Sequence, residues 1–112
     1  MNFSMDVDVE SNVEEVLREM DQAKQRALEE IGLLAESYAK QYCPVDTGRL
    51  RNSISHAVSE SEQAAVIGTN VEYAPYVELG TSRQKPQPYL EPAATEHLDE
   101  YQKIVEDEMK AN

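Results

Sequence analysis

Tryptophan is absent from these 112 residues, and phenylalanine and cysteine occur once each. A core must therefore come mainly from Leu, Ile, Val, Ala and the six tyrosines, and in a chain of one-domain length it will be thin enough to make help from a partner surface plausible. The lone Cys43 excludes an internal disulfide. No apolar run reaches the length of a membrane span, so no membrane partner is expected. The first residues, MNFSMD, lack the basic and then apolar order of a secretory signal. The expectation is a soluble protein, intracellular when made.

Positive charge is also scarce. Ten basic residues face 22 acidic ones, a net charge of −12, which argues against a grip on nucleic acid through its phosphates and against sequence-specific nucleic-acid binding. The excess sits in the two flanks, whereas residues 42–90 are nearly neutral. Catalytic apparatus is missing as well. His56 and His97 lie in separate elements without metal-ligand spacing, and no glycine-rich phosphate loop follows a strand. Cys43 has Asp46 as its nearest charge, the wrong setting for a nucleophilic thiol. The pairs Glu29/Glu30 and Asp107/Glu108 are adjacent on helices and diverge, so no acid–base carboxylate pair is indicated. No enzyme, cofactor or metal site is expected.

What is present is a regular helical pattern at both ends. Residues 1–10 are acidic and aperiodic and read as a flexible arm, with residues 11–112 forming a single domain. Ser11 and Glu14 have capping-box spacing, which predicts a long helix over 12–42. Val13, Leu17, Met20, Ala23, Ala27, Ile31, Leu34 and Tyr38 form its apolar stripe, and Gly32 is its weak point. Such a helix is longer than a domain this small needs, so part of it should meet a neighbour. A coiled coil and a helix lying across a sheet both explain the stripe, and the sheet is the reading adopted.

Pro44 ends the helix. Asp46 or Thr47 then caps a short turn running through Gly48, with Leu50 pointing inward, while Arg49 and Arg51 are placed to pair with Glu72 or Glu78. Alternation of Ile54, His56 and Val58 against Ser53, Ser55 and Ala57, followed by a polar turn and Ala64–Gly68, predicts an antiparallel hairpin over 53–68. His56 reads as a packed or rim residue.

The least generic stretch is 70–81. Tyr73, Pro75, Tyr76 and Glu78 fall in a short irregular helix over 73–79, closed by Gly80 as a C-terminal cap. From Gly80 springs an exposed, mobile, basic loop over 81–88 carrying Arg83, Gln84 and Lys85. Pro88, Tyr89 and Pro92 then lead into a C-terminal helix over 92–109. The fold class is α+β, with two helices packed on a small antiparallel sheet.

Three runs in this order, PVDTGRLRNSI at 44–54, IGTNVEYAPYVELGT at 67–81 and PQPYLEPA at 86–93, resemble the phage HK-ninety-seven gene-product-ten-like family over about residues 10–110. Members are minor tail components or neck proteins of long-tailed phages and prophages. The resemblance implies a structural virion protein of the head–tail joining region, present in the host cytoplasm during assembly. It also implies a homo-oligomeric ring around the DNA path with other neck and tail proteins as partners, and no catalytic residues. Arg83, Gln84, Lys85, Arg49 and Arg51 are the candidate interface residues. An acidic binding module, such as a DNA mimic that inhibits a host nucleic-acid-binding protein, is the alternative.

Overall fold

A computed structural model describes residues 3–44 and 48–110, with side chains in the first helix described for Glu15 and from Leu17 onward. That helix, α1 (Phe3–Tyr42), spans 40 residues. It begins well before the expected capping box at Ser11, so the arm expected for residues 1–10 is helical backbone from Phe3. No glycine or proline precedes Gly32, and nothing in the sequence stops the helix from propagating backward.

The face that α1 buries also differs from the predicted stripe. Ala23, Ala27, Ala35 and Ala39 are its buried side chains, and Cys43 just past its end continues the row, with spacings of four or eight residues along one helical row. Ile31, Leu34 and Tyr38 flank this row half-buried, whereas Leu17 and Met20 are 60% and 47% exposed. Alanine contributes little area per residue but lets neighbours approach the helix axis closely, which is why the true contact row is made of the smallest apolar residues.

Against that row lies a hairpin, β1 (Ser55–Ser59) and β2 (Ala64–Gly68), antiparallel with His56 opposite Ile67 and Val58 opposite Ala65. These pairs face α1, while Ala57 and Val66 face outward. A two-stranded hairpin is marginal alone; this one leans on α1 and is tied near its tip by Lys24 to Gln63.

Between α1 and β1 stands the short helix α2 (Gly48–Ser53), with Leu50 buried as expected. Asp46 and Thr47, the expected caps, lie outside the described residues. After the hairpin come α3 (Ala74–Leu79), α4 (Leu90–Thr95) and α5 (Leu98–Lys110). The single C-terminal helix expected over 92–109 is thus two helices, and Pro92 occupies the third position of α4. No glycine or proline marks the break at Glu96–His97. Tertiary contacts hold it: Tyr101 of α5 donates its hydroxyl to the Ala93 carbonyl of α4, and the His97 ring stacks on Tyr38 of α1 at 3.5 Å.

Helix α5 runs antiparallel along α1, joined by Tyr38 to Glu100 at one end and by Arg26 to Glu108, 3.0 Å, at the other. The main core sits at the C-terminal end of α1, where Ala39, Cys43, Leu50, Ile54, Val71, Ala74, Tyr89 and Ala93 pack together. The molecule is elongated, 74 × 24 × 22 Å, with a radius of gyration of 19.8 Å, well above the roughly 13 Å of a compact domain this long. The first twenty residues of α1, roughly 30 Å of helix, account for the excess by projecting beyond the body.

Candidate functional site

The three unusual runs of the sequence fold into one unit around the main core. The first joins the second through Arg49, whose two terminal nitrogens each lie 3.1 Å from an oxygen of Glu72. This is the planar fork that makes arginine a directional partner for carboxylate. Its guanidinium also lies 5.7 Å from the centre of the Tyr73 ring. Both side chains of the pair are largely exposed, so the fork positions more than it stabilises. Next to it the Ser53 hydroxyl meets that of Thr69, and Thr69 Oγ1 accepts the Val71 N–H at 3.1 Å. The expected staple is therefore made with Glu72, and Glu78 is used elsewhere.

Glu78 joins the second run to the third. Its Oε1 accepts the backbone N–H groups of Tyr89 and Leu90 at 3.1 and 2.9 Å, and its Oε2 accepts that of Glu91 at 3.2 Å. The first four N–H groups of a helix have no intrahelical acceptor. Counted from the N-cap Tyr89 of α4, three of them go to Glu78 and the fourth residue is Pro92, which has no N–H to satisfy. A carboxylate near the start of a helix also meets its dipole favourably. Spacing alone could not reveal this, because the cap arrives from eleven residues upstream.

Gly80 is required twice over. Its φ of +79° is open to glycine and strained for other residues, and a Cβ there would sit 2.7 Å from the Pro86 nitrogen. The Gly80 N–H closes α3 on the Tyr76 carbonyl, and Gln87 N–H donates to the Val77 carbonyl at 2.8 Å. Between these ties Thr81 and Gln84 form an antiparallel bridge around Ser82 and Arg83. The loop expected over 81–88 is exposed at every residue, but it is drawn into a closed turn instead of hanging free.

Beside the loop root runs a groove of about 450 Å³, lined by Gly68–Glu72, Ala74, Pro75, Glu78, Leu79, Tyr89 and Leu90. Leu79 and Tyr76 are 75% and 60% exposed, a large apolar exposure for the end of a six-residue helix. Tyr89 is fully buried, burial pushes its phenol up to about 12, and its hydroxyl has no hydrogen-bond partner among the described residues. Of the candidate interface residues, Arg83, Gln84 and Lys85 are exposed together on the loop. Arg49 is held by Glu72, and Arg51 is exposed on the separate face of α2, beside Leu33 and Lys40.

The titratable groups serve packing. His56 lies between two carboxylates of α1, Nδ1 to Glu36 at 2.9 Å and Nε2 to Glu29 at 2.6 Å. With an acceptor on each nitrogen the charged ring is favoured; Glu36 and Glu29 hold His56 above its ordinary value, and His56 with Lys40 holds Glu36 below its own. His97 bonds Tyr42 and Glu100, and the hydrogen bond to Glu100 pushes the Tyr38 phenol up to about 12. Burial raises the Cys43 thiol, as suits an unreactive core residue. One pairing departs from the expectation that the acidic pairs diverge: Glu30 of α1 hydrogen-bonds Glu108 of α5, which raises Glu30 and, with help from Arg26, lowers Glu108. Residues adjacent in sequence do diverge, but the antiparallel helices bring one member of each pair together. Among the described residues no group of three His, Cys, Asp or Glu side chains is placed to hold a metal ion, and no helix is long and apolar enough to cross a membrane.

A family model described as "Bacteriophage HK97-gp10, putative tail-component" matches residues 8–80, well over half the chain. The chain belongs to this family. The match takes in α1 from residue 8 onward, the Arg49 and Leu50 turn, the hairpin and α3 up to Gly80, and stops where the exposed loop begins. The loop, α4 and α5 lie beyond it, so the match stops short of the expected extent to about residue 110. No curated protein and no solved structure matches the chain. As a phage tail component the protein is a structural constituent of the virion and works among other phage proteins.

Proposed function

We propose that this tail component is a neck or tail-completion protein that oligomerises in the head–tail connector region around the DNA path, entering the particle from the host cytoplasm during assembly. One observation carries the reading. Of the fold's most specific residues, the Glu78 cap and Gly80 hold the two ends of an exposed turn bearing Arg83 and Lys85, and the Arg49–Glu72 fork fixes the segment that leads into α3 beside an apolar groove. A protein whose least generic residues present a surface instead of lining a pocket is built to be docked against. In a chain of net charge −12, that basic turn is the feature suited to an acidic partner face. The acidic remainder repels phosphates and would keep DNA from adhering along its path.

A DNA mimic would need its carboxylates arrayed on one continuous face. Here Glu29 and Glu36 face His56, Glu72 faces Arg49, Glu78 faces backbone N–H groups and Glu108 faces Arg26, which commits these five to structural partners within the fold and favours the virion reading. The test is complementation of a phage lacking this gene with the double variant Arg83→Glu, Lys85→Glu. Separate filled heads and tails are expected. Normal yields of joined particles would contradict the proposal.

A further inference from the structure

Two of the apolar surfaces that the described residues leave uncovered lie at opposite ends of the molecule. One is the groove beside Leu79, next to the core at the C-terminal end of α1. The other is the projecting half of α1, where Leu17 and Met20 are exposed one turn apart on a helix that has left its own body. The helix and the turn beside the groove are complementary in charge, and the two carboxylates that line the groove itself, Glu72 and Glu78, are engaged by Arg49 and by backbone N–H groups. Residues 3–22 hold seven acidic residues and one basic residue, Arg18. The turn flanking the groove holds Arg83 and Lys85 and no acid.

We infer that the projecting half of α1 of one copy seats in the groove of a second copy, with its acidic flank against the neighbour's basic turn. The inference rests on the oligomeric reading above and specifies its contact. Within one chain the two surfaces cannot meet, because roughly 38 Å of uninterrupted helix separates Leu17 from Tyr42, at the end that bears Leu79. Between copies the contact is head-to-tail, since different patches meet. Such a contact leaves one free groove and one free helix in every open assembly, and it ends only by closing into a ring. The same geometry explains a helix longer than its own core requires and a groove whose rim leucine is mostly in solvent.

Head-to-tail contact makes a prediction that symmetric pairing does not. A helix-side variant, Leu17→Asp with Met20→Asp, retains a working groove. A groove-side variant, Leu79→Asp, retains a working helix. All three positions are exposed, so both variants should keep the wild-type circular dichroism. By native mass spectrometry and sedimentation velocity of the full chain, the wild type should form higher oligomers, each variant alone should be monomeric, and the two mixed should form a 1:1 dimer and nothing larger. Reversing Arg83 and Lys85 to Glu should weaken wild-type association about tenfold at low salt, and Glu15→Lys with Glu19→Lys should restore it. A mixture that stays monomeric, or single variants that assemble like the wild type, would overturn the inference. A wild type that stays monomeric alone yet joins particles would overturn the self-contact and leave the virion reading standing. Oligomers of this pattern with no role in particle joining would do the reverse.

Discussion

Gly32 and His56 illustrate how a single residue's role depends on its neighbour. By helix propensity alone, Gly32→Ala should stabilise α1 by about 1 kcal/mol. A Cβ at that position, however, would lie 2.7 Å from His56 Cδ2, on a ring fixed by two carboxylates and therefore unable to step aside cheaply. The expected net effect is destabilisation of about 1–2 kcal/mol. In a His56→Ala background the ring is gone and only the Cβ of residue 56, at 3.3 Å, remains close, so the same substitution should no longer destabilise, and a urea-denaturation double-mutant cycle should show a coupling of about 1–2 kcal/mol. Glu78 supplies a second test at this scale. Glu78→Ala removes the acceptor of three N–H groups and should cost about 2 kcal/mol, with faster amide exchange at Tyr89, Leu90 and Glu91. Unchanged exchange at those three amides would show that the cap does not hold in solution.

Among the elements, α1 and the hairpin are coupled by a contact that depends on pH. His56 is raised from 6.5, so its contribution is full below that value and is lost as pH rises through the higher folded value. Glu36 is lowered from 4.5, so its contribution is present above that value and is lost as pH falls through the lower folded one. The clamp should therefore stabilise most between about pH 4.5 and 6.5. The melting temperatures of wild type and His56→Gln should differ most in that window and converge above it. A constant difference across pH would mean that the ring is not charged in the fold. The projecting half of α1 should be energetically separate from the body: Leu17→Asp should change stability by no more than about 0.5 kcal/mol, whereas Ala27→Asp, at a 1% exposed position, should unfold the protein. Element types were legible in the sequence because periodicity and punctuation are local: the hairpin alternation, the Pro44 stop, the Gly80 cap and the inward Leu50 all stand where expected. The start of α1, its alanine contact row and the division of the last helix were not, because they depend on what packs against them. The candidate site was legible as three motifs in order, and the Arg49 to Glu72 pairing as one of the options. The cap by Glu78 and the Glu30 to Glu108 contact were hidden, since no local rule relates residues that only the tertiary fold brings together.

At the scale of the whole molecule, a small body carries a long helix out of one end and a basic turn beside an apolar groove at the other. Its core is built from alanines, two fully buried larger side chains, Leu50 and Tyr89, and a hairpin that depends on α1. On the proposed assembly such a chain gains stability, because a neighbour covers apolar surface that it exposes alone. On the proposed reading, this tail component works as a closed multimer where head meets tail. Cryo-electron microscopy of purified virions tests it most directly. A ring of copies at that joint, with residues 81–88 in the contact between neighbours, is the predicted result; absence of the protein from the joint, or isolated copies whose turn faces solvent, would contradict it.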